Sequence, residues 1–156
     1  MDAKDIYIKI DEAMKVNPKS PYPLSFKIID SSDDLIVSAF NADFEFENSV
    51  LKRVPLMVFI QRNNISIRAS LLKVRDSDYC ALLHTTNALN DEFLDLKFVV
   101  TNHRNQGYEL ELRNTINIEE ITKPSIWLER ICYCFLLLDR ISTEFQHDFD
   151  RFEDKE

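Results

Sequence analysis

Three histidines and several carboxylates are the side chains best suited to metal binding or acid-base chemistry. His84, His103 and His147 fall in a predicted middle helix, a predicted hairpin loop and the last helix, without an H-x-x-x-H or H-E-x-x-H spacing. Zinc sites need such a spacing or ligands that the fold brings together with carboxylates. Ordinary surface or half-buried imidazoles are the favoured interpretation, and we predict no metal site.

The acidic pairs and the serines do not form a recognisable catalytic pattern. A pair of catalytic carboxylates needs two different environments within one cleft. The acidic pairs instead fall in predicted turns and at helix ends, where solvation and helix capping explain them. Ser66 and Ser70 lie in a predicted strand without the glycine turn that exposes a nucleophile. We predict no catalytic residue in any of these groups: Asp33-Asp34, Glu119-Glu120, Asp148/Asp150, Ser66 and Ser70.

Gly107 is the only glycine in 156 residues. Phosphate-cradling loops and dinucleotide fingerprints use glycine where the backbone must approach a ligand closely. Most nucleotide-binding architectures are thereby disfavoured, and we predict no cofactor. Turns must instead be built from Asn, Asp, Ser and Pro.

The net charge of −8 and a pI near 4.9 give a field that repels nucleic acids and anionic membranes. Three of the first five residues are charged, and no apolar run approaches the roughly 18 residues that a membrane span needs. Cys80, Cys132 and Cys134 are odd in number and are predicted to be buried thiols. The sequence therefore predicts a cytoplasmic protein that does not bind membranes, and nucleic acid is an improbable partner.

Hydrophobic periodicity predicts an α+β fold in the order helix, strands, helix, strands, helix. Residues 3–16 have helical spacing, and residues 24–74 change toward the two-residue period of strands. Within that stretch, Asn63-Asn64 between two apolar runs predicts a hairpin, since Asn tolerates positive φ angles. A strand is also predicted over 44–47.

The second half is predicted to contain two helices around a further hairpin. Helical spacing follows the N-cap oxygens of residues 76–78 and runs to about residue 92. Strands over 96–100 and 108–112 flank Gly107, and Pro124 opens a strongly apolar last helix. We predict a single domain over residues 1–150 and an acidic C-terminal tail over 151–156.

The apolar side chains suggest a binding surface. Phe44 and Phe46 on an early strand and Phe59 in the hairpin are candidate partner contacts. The last helix carries more bulk than one face packed on one sheet would bury, in Trp127, Tyr133, Phe135, Leu137 and Leu138. This excess is interpreted as a homodimer contact, as ordinary core or as a client groove. Asn87 and Asn90 are expected to cap the middle helix and tie it to the next strand.

The amino-acid sequence of the middle and C-terminal parts resembles that of the bacterial YbjN-like family, whose members have the type III secretion chaperone-like fold. The resemblance is most specific over residues 65–145 and rests on these degenerate patterns: Leu82-Leu83 followed by Asn87 and Asn90, Lys97-Phe98, the alternation from Tyr108 to Leu112, Thr122, and Leu137-Leu138-Asp139.

The resemblance implies a curved antiparallel sheet packed against helices, frequent homodimers and no catalytic residues. Secretion chaperones use hydrophobic patches to hold a segment of a client. We therefore predict a non-enzymatic protein-binding module, chaperone-like or a regulatory adaptor, that binds a protein segment through apolar sheet and helix surfaces. The alternative is an acidic immunity-type protein that neutralises a basic toxin or enzyme.

Overall fold

The computed structural model describes residues 1–16, 24–42 and 54–153. It confirms the predicted order of elements and adds a short fourth helix. The helices and strands are α1 Ala3–Val16, β1 Leu24–Ser31, β2 Leu35–Ala42, β3 Leu56–Gln61, β4 Asn64–Val74, α2 Tyr79–Glu92, β5 Lys97–His103, β6 Gly107–Asn117, α3 Pro124–Glu144 and α4 Gln146–Glu153.

The strands form one antiparallel sheet in the order β1-β2-β3-β4-β6-β5. The α+β class is therefore confirmed. Strands β1 and β5 lie at the two ends of this order and are its edge strands. The predicted strand over 44–47, with Phe44 and Phe46, lies outside the described residues.

The chain divides into two compact units. Of the described residues, the first contains 1–16, 24–42, 55–67 and 115–138, and the second contains 54, 68–114 and 139–153. The single domain over 1–150 stays a prediction, and the two units are described separately below.

In the first unit, α1 begins with a reciprocal cap. The Asp5 amide donates to the Asp2 carboxylate over 2.8 Å, and the Asp2 amide donates to the Asp5 carboxylate over 3.2 Å. These bonds satisfy amides that a helix start leaves without partners. The helix packs on β2 and β3 and buries Ala3, Ile6 and Ile10.

The hairpin predicted around Asn63-Asn64 is confirmed, but its predicted mechanism is wrong. Arg62 and Asn63 connect β3 to β4. Among the non-glycine residues that the structure describes, only Asn105 has a positive φ, at 64°. The Asn63 carbonyl instead accepts a bond from the Ile118 amide over 3.1 Å, so this turn is held by a tertiary contact.

In the second unit, Asn90 ties α2 to β5. Its side-chain amide donates to the Phe98 carbonyl over 3.0 Å, and its side-chain oxygen accepts from the Phe98 amide over 2.9 Å. One side chain thus occupies both hydrogen-bonding groups of a residue on the edge strand. The predicted link between helix and strand is confirmed for Asn90, whereas Asn87 is exposed.

The β5–β6 hairpin depends on its glycine. The turn between the strands contains Asn105, and Gly107 follows it with φ +85°. A Cβ atom on Gly107 would overlap the carbonyl oxygen of Val74 at the end of β4. Only glycine combines this backbone angle with this close approach.

The C-terminal segment is more ordered than its composition predicted. Residues 146–153 form α4, in which Phe149 and Phe152 are buried at 1% and 8% exposure. The first three residues of the predicted tail over 151–156 therefore belong to a helix. Two aromatic side chains at i and i+3 give the acidic segment an apolar face, which its charge had obscured.

The cysteines and the helix lengths bear on the predicted location. Cys134 is buried and Cys132 is half-buried, but Cys80 on α2 is exposed, so its predicted burial is wrong. The apolar neighbours of Cys80 in the sequence occupy other faces of the helix.

Within the described part of the chain, none of the helices has the length and apolar character to cross a bilayer.

We predict that Asn90→Ala lowers the free energy of unfolding by about 1–3 kcal/mol, because it leaves the amide and carbonyl of Phe98 without their partner. Chemical denaturation would measure the loss. Asn87→Ala is the matched control on the exposed side of the same helix and should change stability by less than about 0.5 kcal/mol. Equal losses in the two variants would contradict the role assigned to Asn90.

We also predict that Gly107→Ala destabilises the protein by more than about 1–2 kcal/mol, since the new methyl group meets both a positive φ and the Val74 carbonyl. Thermal unfolding would detect it. Asn105→Gly relieves the other positive φ and should leave the melting temperature unchanged or raise it. A Gly107→Ala protein as stable as the natural one would overturn the argument.

Candidate functional site

The structure divides the residues that were predicted to contact a partner into buried and exposed groups. Trp127, Phe135 and Leu138 are 0%, 1% and 0% exposed, and Tyr133 is 39% exposed. The Trp127 indole also donates to the Ile121 carbonyl over 2.6 Å. The three buried side chains are core in the single chain and do not form a surface. Of the three interpretations of the last helix, ordinary core explains these residues.

Two of the remaining candidates lie on accessible faces. Tyr133 is joined on the outer side of α3 by Leu136, which is 42% exposed. Phe59 is half-buried on β3, where it lies opposite Val37 of β2. Val37 and Phe59 alternate with the buried Ile36 and Ile60, so the pair belongs to the face of the sheet turned away from the core.

The edge strand β1 carries exposed apolar side chains that the sequence did not single out. Its residues Ile28 and Ile29 are 40% and 56% exposed. On one side β1 pairs with β2. The pairing begins with Leu24 opposite Ala42 and ends with Ser31 opposite Ile36. Within the described residues, no strand pairs with its other side. Strand patterning had identified residues 25–29 as a strand, but a sequence does not state which strand ends a sheet.

Aromatic side chains support β1 from the core side. Phe26 stacks on Phe40 of β2 with ring centroids 5.1 Å apart, and Tyr7 of α1 meets Phe26 edge-on at 5.2 Å. Burial, followed by the negative charge of Asp11, raises the pKa of Tyr7. Both burial and the charge of Asp11 therefore favour the neutral phenol of Tyr7. The edge strand is held in place by a stack that reaches into the core.

The two sheet edges differ. On β5, the Asn90 side chain binds the amide and carbonyl of Phe98. Proteins commonly protect edge strands in this manner, because unpaired backbone groups attract other strands. On β1, the register shifts between Ile28 and Asp30, which is a local irregularity of the kind found at edges. Among the described residues, the exposed Ile28 and Ile29 distinguish the β1 edge from the β5 edge, where Asn90 occupies the backbone of Phe98.

A second group of polar residues lies on the β5–β6 hairpin. His103 Nε2 is 2.5 Å from a Glu109 carboxylate oxygen. Possible ligand atoms of His103, Glu109 and Glu111 all lie within 4.8 Å of one another. The spacing of the three histidines in the sequence did not indicate this group. The predicted hairpin and the alternation of Glu109 and Glu111 contained the signal, since cross-strand diagonals bring such residues together.

The remaining polar candidates lie elsewhere. His84 and His147 are exposed on α2 and α4. The Ser66 hydroxyl donates to the side-chain oxygen of Asn64 on the same strand, β4. The Ser70 hydroxyl instead donates to the Glu109 carboxylate. Asp33 and Asp34 lie in the turn between β1 and β2, and Glu119 and Glu120 follow β6, all exposed. None of these acidic pairs contributes to the group around His103, although Ser70 does.

The comparison with solved structures identifies a similar fold. The crystal structure of YbjN from E. coli, described as a candidate transcription regulator, matches with a TM-score of 0.55 and 12% sequence identity. The match covers 89% of this chain and 90% of that one. At this identity the likeness shows the fold alone, and the predicted YbjN-like fold is confirmed. No protein-family model matches the chain, and no curated protein matches its sequence.

We predict that Leu138→Ala lowers the free energy of unfolding by about 2–5 kcal/mol, because it leaves a cavity in the core. Leu136→Ala is the matched control: it makes the same substitution two residues away on the exposed side of α3, and should cost less than about 1 kcal/mol. Denaturant titration would measure both. Similar losses would contradict the assignment of Leu138 to the core.

Proposed function

We propose that the protein is a non-enzymatic binding module that takes up an extended segment of a partner protein at the β1 edge. The observation that carries this proposal is the contrast between the edges, one occupied by Asn90 and the other bordered by the exposed Ile28 and Ile29. A segment that pairs with an edge strand gains affinity from backbone hydrogen bonds and selectivity from alternate side-chain contacts.

The side chains of β1 specify the chemistry of the segment. Phe26 is half-buried and fixed by its two aromatic neighbours, and Ile28 lies next to it on the same face of the strand. A strand beside β1 would place its own apolar side chains against Phe26 and Ile28. The segment is therefore β-branched or aromatic at alternate positions.

Charge supports a basic partner. The protein carries a net charge of −8, and Asp30, Asp33 and Asp34 lie at the end of β1 and in the turn that follows it. Such a field accelerates the approach of a positively charged partner and disfavours an acidic one. Basic residues that flank the apolar strand of the partner would fit this end of the sheet.

The biological role that fits this chemistry is regulation or chaperoning. The fold neighbour YbjN is described as a candidate transcription regulator, which supports a regulatory adaptor. We also propose that the protein acts in the cytoplasm, where the thiols of Cys80, Cys132 and Cys134 stay reduced. A homodimer is the alternative use of this edge, since two copies pairing through β1 would extend the sheet and leave no room there for a partner segment.

We predict that the double variant Ile28→Lys/Ile29→Lys loses at least tenfold in partner affinity, because charged side chains at an edge oppose strand addition. Affinity purification from the native host would identify the partner, and calorimetry with the purified segment would then measure binding. Hydrogen exchange should show added protection at the amides of β1. Light scattering would report whether the occupant is a second copy.

Ile8→Lys is the control, since Ile8 is an exposed isoleucine on α1, with 43% exposure against 40% for Ile28. It introduces the same charge away from the sheet edge and should preserve binding. The proposal is wrong if both variants bind equally well, or if protection appears on α3 and not on β1. Salt should weaken association only modestly if the apolar contacts dominate.

A further inference from the structure

The carboxylates of Glu109 and Glu111 are held in place by neighbouring polar side chains. Glu109 Oε1 accepts a hydrogen bond from the Ser70 hydroxyl, and its Oε2 lies 2.5 Å from His103 Nε2. Glu111 Oε2 accepts from Nε and Nη2 of Arg113 over 2.8 and 2.7 Å. Its other oxygen, Oε1, lies 3.4 Å from the Thr101 hydroxyl. Each carboxylate thus has a neighbour at both oxygens: Ser70 and His103 for Glu109, and Arg113 and Thr101 for Glu111.

The backbone fixes this arrangement. Glu109 and Glu111 are two residues apart on β6, so they share one face of the sheet, and Leu110 and Leu112 are buried on the other. Thr101 is paired directly with Glu109, and His103 is its next neighbour on that face of β5. The donors therefore stand on two paired strands and not on a long loop, which is a favourable basis for a defined site.

The charge of the group also favours a cation. The side chains of Glu109 and Glu111 are only 9% and 17% exposed, and Arg113 pairs with Glu111. An imidazole Nε2 carries at most one proton and can serve only one carboxylate at a time. A divalent cation at the same position would interact with both carboxylates and with the imidazole nitrogen at once.

We propose that His103, Glu109 and Glu111 bind a divalent first-row transition metal, with Zn²⁺ as the best fit. One imidazole nitrogen and two carboxylate oxygens form a three-ligand set that leaves a fourth position for water. Zinc–ligand distances of about 2.0–2.2 Å require the ligand atoms to be roughly 3–3.5 Å apart. The contact between His103 and Glu109 must then open by less than about 1 Å. His103, which is 44% exposed at the end of β5, is the ligand placed to move.

Ser70 and Arg113 act as positioning residues for this site. Ser70 binds the Glu109 oxygen that does not contact His103, and Arg113 binds one oxygen of Glu111, which sets the orientation of both carboxylates before the ion arrives. Such outer contacts typically change metal affinity by about 10–100-fold. The nitrogen donor distinguishes Zn²⁺ from Mg²⁺ and Ca²⁺, which prefer oxygen ligands. The site would also bridge β5 and β6.

The test is a calorimetric titration of Zn²⁺ into the full chain after treatment with a chelator. We expect one Zn²⁺ per chain, with at least tenfold weaker binding in His103→Gln and in Glu111→Gln. Ser70→Ala should weaken binding about tenfold while leaving all three ligands in place. His84→Gln is the matched control, because it removes an exposed histidine from α2, and should bind like the natural protein. Mg²⁺ at the same concentration should compete poorly.

Spectroscopy on the natural protein tests the proposal without any substitution. Co²⁺ in place of Zn²⁺ should give visible absorption bands, and the ring signals of His103 should respond to one equivalent of metal in nuclear magnetic resonance. Circular dichroism would establish that His103→Gln and Glu111→Gln fold without metal. The proposal is overturned if no stoichiometric binding occurs, if His103 does not respond, or if His84→Gln weakens binding as much as His103→Gln.

Discussion

Antiparallel pairing between β5 and β6 places Thr101 opposite Glu109 and Phe98 opposite Leu112. Because side chains alternate across a strand, this register sends Phe98, Leu110 and Leu112 into the core and gathers the polar residues on the other face. A shift by one residue would bury the carboxylates and expose the leucines. The register is therefore fixed by burial, and the chemistry of the polar face follows from it.

Three local features maintain that register. Gly107 allows the hairpin to approach the Val74 carbonyl, Asn90 binds the backbone of Phe98, and Tyr79 stacks on Tyr108 with centroids 4.2 Å apart. Each acts at a different part of the hairpin: its turn, its outer strand and the start of β6. The only glycine of the chain thus has a structural explanation in the close approach of two backbones.

The unequal edges of the sheet connect the fold to its proposed role. An edge strand has unpaired backbone groups that can recruit another chain, and proteins use this for recognition when they do not prevent it. Asn90 satisfies part of the β5 edge by imitating a neighbouring strand, whereas exposed isoleucines border β1. The proposed binding module needs no deep cleft, and its selectivity would come from Phe26, Ile28 and the acidic charge around the end of β1.

The sequence by itself determined α1, α2, α3, the hairpins, the fold class and the link from Asn90 to the next strand, because hydrophobic periodicity and turn residues act over short distances. It could not determine which apolar residues of α3 stay exposed: Trp127 and Leu138 are core, whereas Tyr133 and Leu136 are not. Nor could it identify β1 as an edge, or bring His103 to Glu109 and Glu111. Those outcomes depend on strand order and cross-strand register, which are set by packing between segments far apart in the chain and are therefore decided only by the tertiary structure.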